Sequence, residues 1–85
     1  MNEEEIKKMI REGRNGLKLK AGYGKYITEK RIEKGFTFRQ VHEIGGATPF
    51  KQSAIELENT KRFSFHDLRI TLKALDIKHS EVFHD

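Results

Sequence analysis

From Gly24 onward, helix-ending and helix-opening signals recur along the chain: Gly35, the Gly45–Gly46 pair, Pro49, Ser64 and Ser80. No long helix fits between them, so any fold must be assembled from short helices packed on one another. The chain has 85 residues and no cysteine, and neither a disulfide nor a thiolate metal site can supplement the one small core that such a length supports. Helix packing and good local signals must carry the stability.

Apolar spacing predicts where those helices lie. A first, over residues 24–34, turns Ile27 and the stem of Arg31 to one side and stops at Gly35. Thr37 is placed to cap a second over 38–44, which buries Val41 and Ile44 and ends at Gly45–Gly46. Thr48 opens a third with Pro49 at its first position, where a missing N–H costs nothing, running to about Glu58. Phe63 or Ser64 opens a fourth with Leu68, Leu72 and Leu75 on one face, and "IKHSEVF" supplies a last short turn in which Ser80 would cap and Val82 and Phe83 would close the core. The reading is therefore all-α. Upstream, Ile6, Met9 and Ile10 make a one-faced helix over residues 3–12, and Leu17 and Leu19 alternate with Lys18 and Lys20 in a glycine-punctuated brief strand or extended arm. Residues 1–22 are read as an appendage to a main unit at 23–85.

The net charge of +4 lies entirely in residues 1–35, where ten Lys and Arg face six Glu; the remainder is balanced. A solvated face and the footprint of a polyanion both fit this distribution. The acidic, then mixed-charge N-terminus is unlike a secretory leader, and no apolar run approaches a membrane span, so a soluble, cytoplasmic protein with no membrane partner is expected. His42, His66, His79 and His84 lack ligand spacing, and neither "GYG" nor "GG" has the context of a phosphate-cradling loop. No catalytic constellation, metal site, cofactor or small-molecule ligand is expected.

Three segments in order resemble the XRE-like helix-turn-helix family, the Cro and CI repressor type: "GKYITEKRIEKGFT" at 24–37, "LENTKR" at 57–62 and "SFHDLRITLKALDI" at 64–77. The resemblance spans about residues 24–83 and implies a compact five-helix, lambda-repressor-like domain. It further implies that the third helix lies in the major groove while the second helix and helix ends hold phosphates. Counted back from Glu58, the base-facing residues would be Lys51 and Gln52 with Glu56 one turn on, and Phe50 would meet a thymine methyl. Lys51, Gln52 and Glu56 would otherwise form the wet face of an amphipathic helix. Backbone contacts would come from Thr37, Arg39, Gln40, Lys61 and Arg62, and Arg14, Lys18 and Lys20 would form either a basic arm or a solvated linker. In the family an acid at the place of Glu58 pairs with the arginine of the first helix, here Arg31.

The chain departs from the family pattern in three places. His42 follows Val41 where the family has a small residue, and Gly45 stands where a leucine is usual. The span from Gly46 to Glu58 is about two residues long, so counting from Gly46 instead would place Ile55 and Glu56 in the family's apolar–acid pair and shift the base-facing residues toward Pro49 and Phe50. The count from "LENTKR" is adopted because it matches more residues and leaves Glu58 for Arg31. Thr60 replaces the glycine that usually ends the third helix, so Asn59 would take the left-handed conformation.

The function expected is sequence-specific binding of a double-stranded DNA operator by a homodimeric transcriptional repressor of bacterial, phage or mobile-element origin. The dimer surface would be the Ile6, Met9, Ile10 stripe or the Val82–Phe83 end. The alternative is a protein-interaction adaptor on the same scaffold, which would leave Phe50, Phe63 and Phe65 exposed.

Overall fold

The structure is a computed structural model in which residues 18–84 are described. In that range lie five helices: α1 (Tyr23–Glu33), α2 (Phe38–Glu43), α3 (Pro49–Glu56), α4 (Phe65–Ala74) and α5 (His79–Val82). Two strands, β1 (Lys18–Leu19) and β2 (Phe83–His84), pair antiparallel with Leu19 opposite Phe83. The expected helices are present with their ends within a few residues of the predicted ones, and the short strand pair is added to the all-α reading.

Local chemistry accounts for the boundaries. Thr37 and Gln40 form a reciprocal capping box on α2: the Gln40 N–H donates to Thr37 Oγ1 at 3.1 Å, and the Thr37 N–H donates to Gln40 Oε1 at 2.8 Å. Ser64 and Asp67 repeat the device on α4. α5 is capped by Lys78, whose N–H donates to Glu81 Oε2 at 2.7 Å; the predicted cap, Ser80, lies inside the helix. Glu81 also accepts from the Tyr26 hydroxyl at 2.5 Å, and this bond, followed by the one from Lys78, holds its carboxyl below the usual range. A depressed carboxylate stabilises the fold above its ordinary pKa and loses that contribution as pH falls.

Leu68, Leu72 and Leu75 line the inner face of α4 as their spacing predicts, and Ile27, Val41, Ile55, Phe63, Ile77, Val82 and Phe83 complete the core around them. Val82 and Phe83 are buried in the chain's own core, so their side chains are not the exposed apolar surface that was expected of them. Ile44 is exposed at the end of α2 and not buried as its spacing suggested. Residues 18–20, grouped with the appendage by sequence, are held to the main unit. Lys20 donates from its backbone N–H to the Val82 carbonyl at 2.8 Å and from Nζ to the Ser80 carbonyl at 2.8 Å, and Leu19 packs against the core. Lys20 is thus part of a seam joining β1 to α5, not of a free arm.

Candidate functional site

The five-residue turn between α2 and α3 is shaped by its glycines. Gly45 has φ 108°, a conformation other residues resist, and a Cβ on Gly46 would lie 2.6 Å from Val41 Cγ1. His42 is exposed and closes the same turn: its Nδ1–H donates to the Gly46 carbonyl at 3.0 Å. The imidazole that stands where the family has a small residue therefore serves as a cap for the turn. Thr71, buried on α4, accepts from the Ala47 N–H at 3.1 Å and fixes the end of the turn from below.

α3 has two unlike faces. On its inner side, Gln52 is 1% exposed and its Nε2 donates to the carbonyls of Phe38 and Ala47, each at 2.7 Å. This amide ties the first turn of α3 to the start of α2 and to the α2–α3 turn. Gln52 is therefore a buried bracket and has no edge to offer a base, which corrects its assignment as a base-contacting residue. Replacing it with alanine would leave two carbonyls without their donor; a loss of about 2 kcal/mol in chemical unfolding is expected, with no change in any ligand preference.

Glu56 is likewise turned inward. Arg31 grips it with two hydrogen bonds, Nε to Oε2 at 2.7 Å and Nη2 to Oε1 at 3.1 Å, and the Thr28 hydroxyl donates to Oε1 at 2.7 Å. Arg31 completes its geometry by donating from Nη1 to the Phe36 carbonyl at 2.9 Å and by stacking its guanidinium 4.3 Å from the centre of the Phe38 ring. The expected clasp between the first and third helices is present, but its acid is Glu56 and not Glu58, and Glu56 is accordingly not base-facing. Glu58 is exposed and occupies the left-handed conformation, φ 58°, that sequence reasoning gave to Asn59. The register counted from Gly46 is the one the structure adopts for this pair.

The outer face of α3 is what remains. Phe50 and Leu57 are 61% and 78% exposed, one two-turn step apart, with Ser53 half-buried on the same side and Pro49 exposed at the helix start. Thr48 is exposed before them and its side chain makes no cap hydrogen bond. Lys51 lies at the edge, half-buried, with Nζ donating to the Arg62 carbonyl at 3.1 Å. That bond brings the loop carrying Lys61 and Arg62 beside the first turn of α3, as Gln52 brings the start of α2.

Of the residues predicted to hold phosphates, Thr37, Arg39, Gln40, Lys61 and Arg62 are all exposed. Arg39 also sits 3.4 Å from Glu43 in an exposed i,i+4 pair, and Thr37 and Gln40 use part of their capacity in the capping box. Arg14 and the Ile6, Met9, Ile10 stripe lie outside the described residues, and only the backbone of Lys18 is described. Thr48, Ser53 and Leu57 were missed by the sequence reading; the count from Gly46 was the signal, because it puts Ile55 and Glu56 in the inward apolar–acid pair and leaves Leu57 outside it.

No protein-family model, curated protein or solved structure matches the chain.

Proposed function

We propose that the protein is a double-stranded DNA-binding transcriptional regulator of the repressor helix-turn-helix type, seating α3 in the major groove. The observation that carries this reading is the contrast between the two faces of α3: the inner one is bolted down by Gln52 and by the Arg31–Glu56 clasp, while the outer one is left bare. A helix held so firmly, with the start of α2 and the Lys61–Arg62 loop drawn to its first turn, is suited to present its outer face to a groove while flanking groups meet phosphates. Arg39, Lys51, Lys61 and Arg62 supply the cations. The family resemblance of residues 24–83 favours the same use. Binding as a dimer on a two-fold operator would supply the affinity that one short helix lacks.

Duplex binding measured by fluorescence anisotropy across salt concentrations tests this. With about four phosphates neutralised per protomer, and so about eight by a dimer, affinity is expected to fall roughly ten-thousandfold between 50 and 200 mM salt, and Lys61→Ala or Arg62→Ala should each lower the salt slope by about two while weakening all duplexes alike.

The exposed pair Phe50 and Leu57 favours a second reading, a protein partner docked on the same face. The wider apolar surface that an adaptor would show is reduced, because Phe63 is buried and Phe65 is half-buried beside Phe83 and His79. Weak duplex binding that does not respond to salt would select this reading.

A further inference from the structure

The outer face of α3 has an unusual chemistry for a helix that reads bases. Major-groove readers commonly discriminate with the paired donors and acceptors of Arg, Asn or Gln. Here the one amide on the helix, Gln52, is spent on the Phe38 and Ala47 carbonyls, and its one carboxylate, Glu56, is spent on Arg31. Lys51 is turned toward the Arg62 carbonyl. What faces outward is Pro49, the Phe50 ring, the Ser53 hydroxyl and Leu57, with Thr48 in front.

Building on the DNA-binding reading, we propose that this protein recognises its duplex mainly through thymine C5-methyl groups, which Phe50 and Leu57 cover in the major groove. Thymine is the only one of the four bases to place an apolar group in that groove, and an apolar side chain distinguishes it from cytosine and from the purines by burying the methyl. Phe50 stands at the second position of α3, among the N-terminal residues that approach base edges most closely when a recognition helix lies in the groove. Leu57 follows two turns later on the same face, about 10 Å along the helix, so the pair can reach bases roughly three base pairs apart. The Ser53 hydroxyl between them serves as donor or acceptor to whichever base edge it meets and adds little selectivity. The preferred half-site is therefore rich in A·T pairs, with thymines positioned under Phe50.

The test removes the methyl and nothing else. Duplexes are selected from a random pool with the wild-type chain, and in the best of them each thymine is replaced in turn by uracil, which keeps every hydrogen-bonding group. At one or more positions uracil is expected to weaken binding by about fourfold, the effect of one unburied methyl at about 0.8 kcal/mol. Phe50→Ala, at an exposed position that should leave the melting temperature nearly unchanged, is expected to bind thymine and uracil duplexes equally where they differ at the base under Phe50, and still to discriminate at any base under Leu57. Leu57→Ala provides the same comparison at the other end of the helix. A selected duplex bound specifically, with salt dependence, but indifferent to uracil at every thymine overturns the methyl inference and leaves DNA binding intact. A pool from which nothing is enriched, together with salt-insensitive binding, overturns both.

Discussion

Arg31→Ala is expected to destabilise the protein by about 3 kcal/mol, lowering the melting temperature by roughly 12–24 °C for a domain of this size. The size follows from what is left behind. Glu56 would keep its place at the inner edge of α3, with a side chain only 10% exposed, and would lose two of its three hydrogen bonds and its one cation among the described residues. The Phe36 carbonyl and the Phe38 ring would lose a partner as well, so the junction of α1, α2 and α3 would loosen at three points. Glu56→Ala should cost nearly as much, because it strands the guanidinium. The double variant should cost well under the sum of the two, which a thermodynamic cycle would read as a coupling of more than about 1 kcal/mol. Glu58→Ala serves as the control that fixes the register: at an exposed residue with no ion pair or hydrogen bond from its side chain among the described residues, it should change stability by no more than about 0.5 kcal/mol. A larger loss at Glu58 than at Glu56 would contradict the assigned clasp.

That control also shows where the sequence was legible and where it was not. The ends of α2 and α4 could be read because a capping box is a local event: Thr37 with Gln40, and Ser64 with Asp67, need only three residues of spacing and a following apolar period. The leucines of α4 were equally plain, since one helix face decides them. "AIELEN" is different, because it contains two apolar–acid pairs, Ile55–Glu56 and Leu57–Glu58, and both satisfy any rule about composition. Choosing between them requires the distance from α3 to α1, a tertiary quantity. The turn at Gly45–Gly46 held the missing information. Counted from it, Ile55 and Glu56 form the inward pair and Leu57 falls outside. Gln52 was misjudged for the same reason: an amide near the front of such a helix looks like a base reader until the rotation is known, whereupon it becomes the donor that two buried carbonyls require.

Exposure at Leu57 and Phe50 could not have been inferred from hydrophobicity, which argues for burial of both. Their position outside the core is the residue of a geometric constraint: with Gln52, Ala54, Ile55 and Glu56 turned inward by the Arg31 clasp and the α2 bracket, the remaining side of an eight-residue helix faces outward whatever its chemistry. An outer face that stays apolar under this constraint is a feature for a partner to use.

The second large effect is expected at Gly24, where two simple arguments give opposite signs. Gly24 sits in the first turn of α1, and exchanging a helical glycine for alanine ordinarily gains up to about 1 kcal/mol through propensity. At this position, however, α1 meets the end of α3 so closely that a Cβ would lie 2.3 Å from the Glu56 carbonyl oxygen and 2.9 Å from its carbonyl carbon. The obstacle is backbone, which cannot swing aside as a side chain would, so the helices must separate. Overpacking of this kind costs about 1–3 kcal/mol and occasionally more, and the separation would also stretch the Arg31–Glu56 bonds that lie two helical turns further along the same contact. The steric term wins, and Gly24→Ala should destabilise by about 3 kcal/mol in chemical unfolding. Lys25→Ala, at the adjacent exposed site, should be within about 0.5 kcal/mol of the parent. In the background of Arg31→Ala, where the clasp is already gone, the penalty of Gly24→Ala should shrink, since the two helices are then free to part; an undiminished penalty would mean that the close approach and the ion pair act independently.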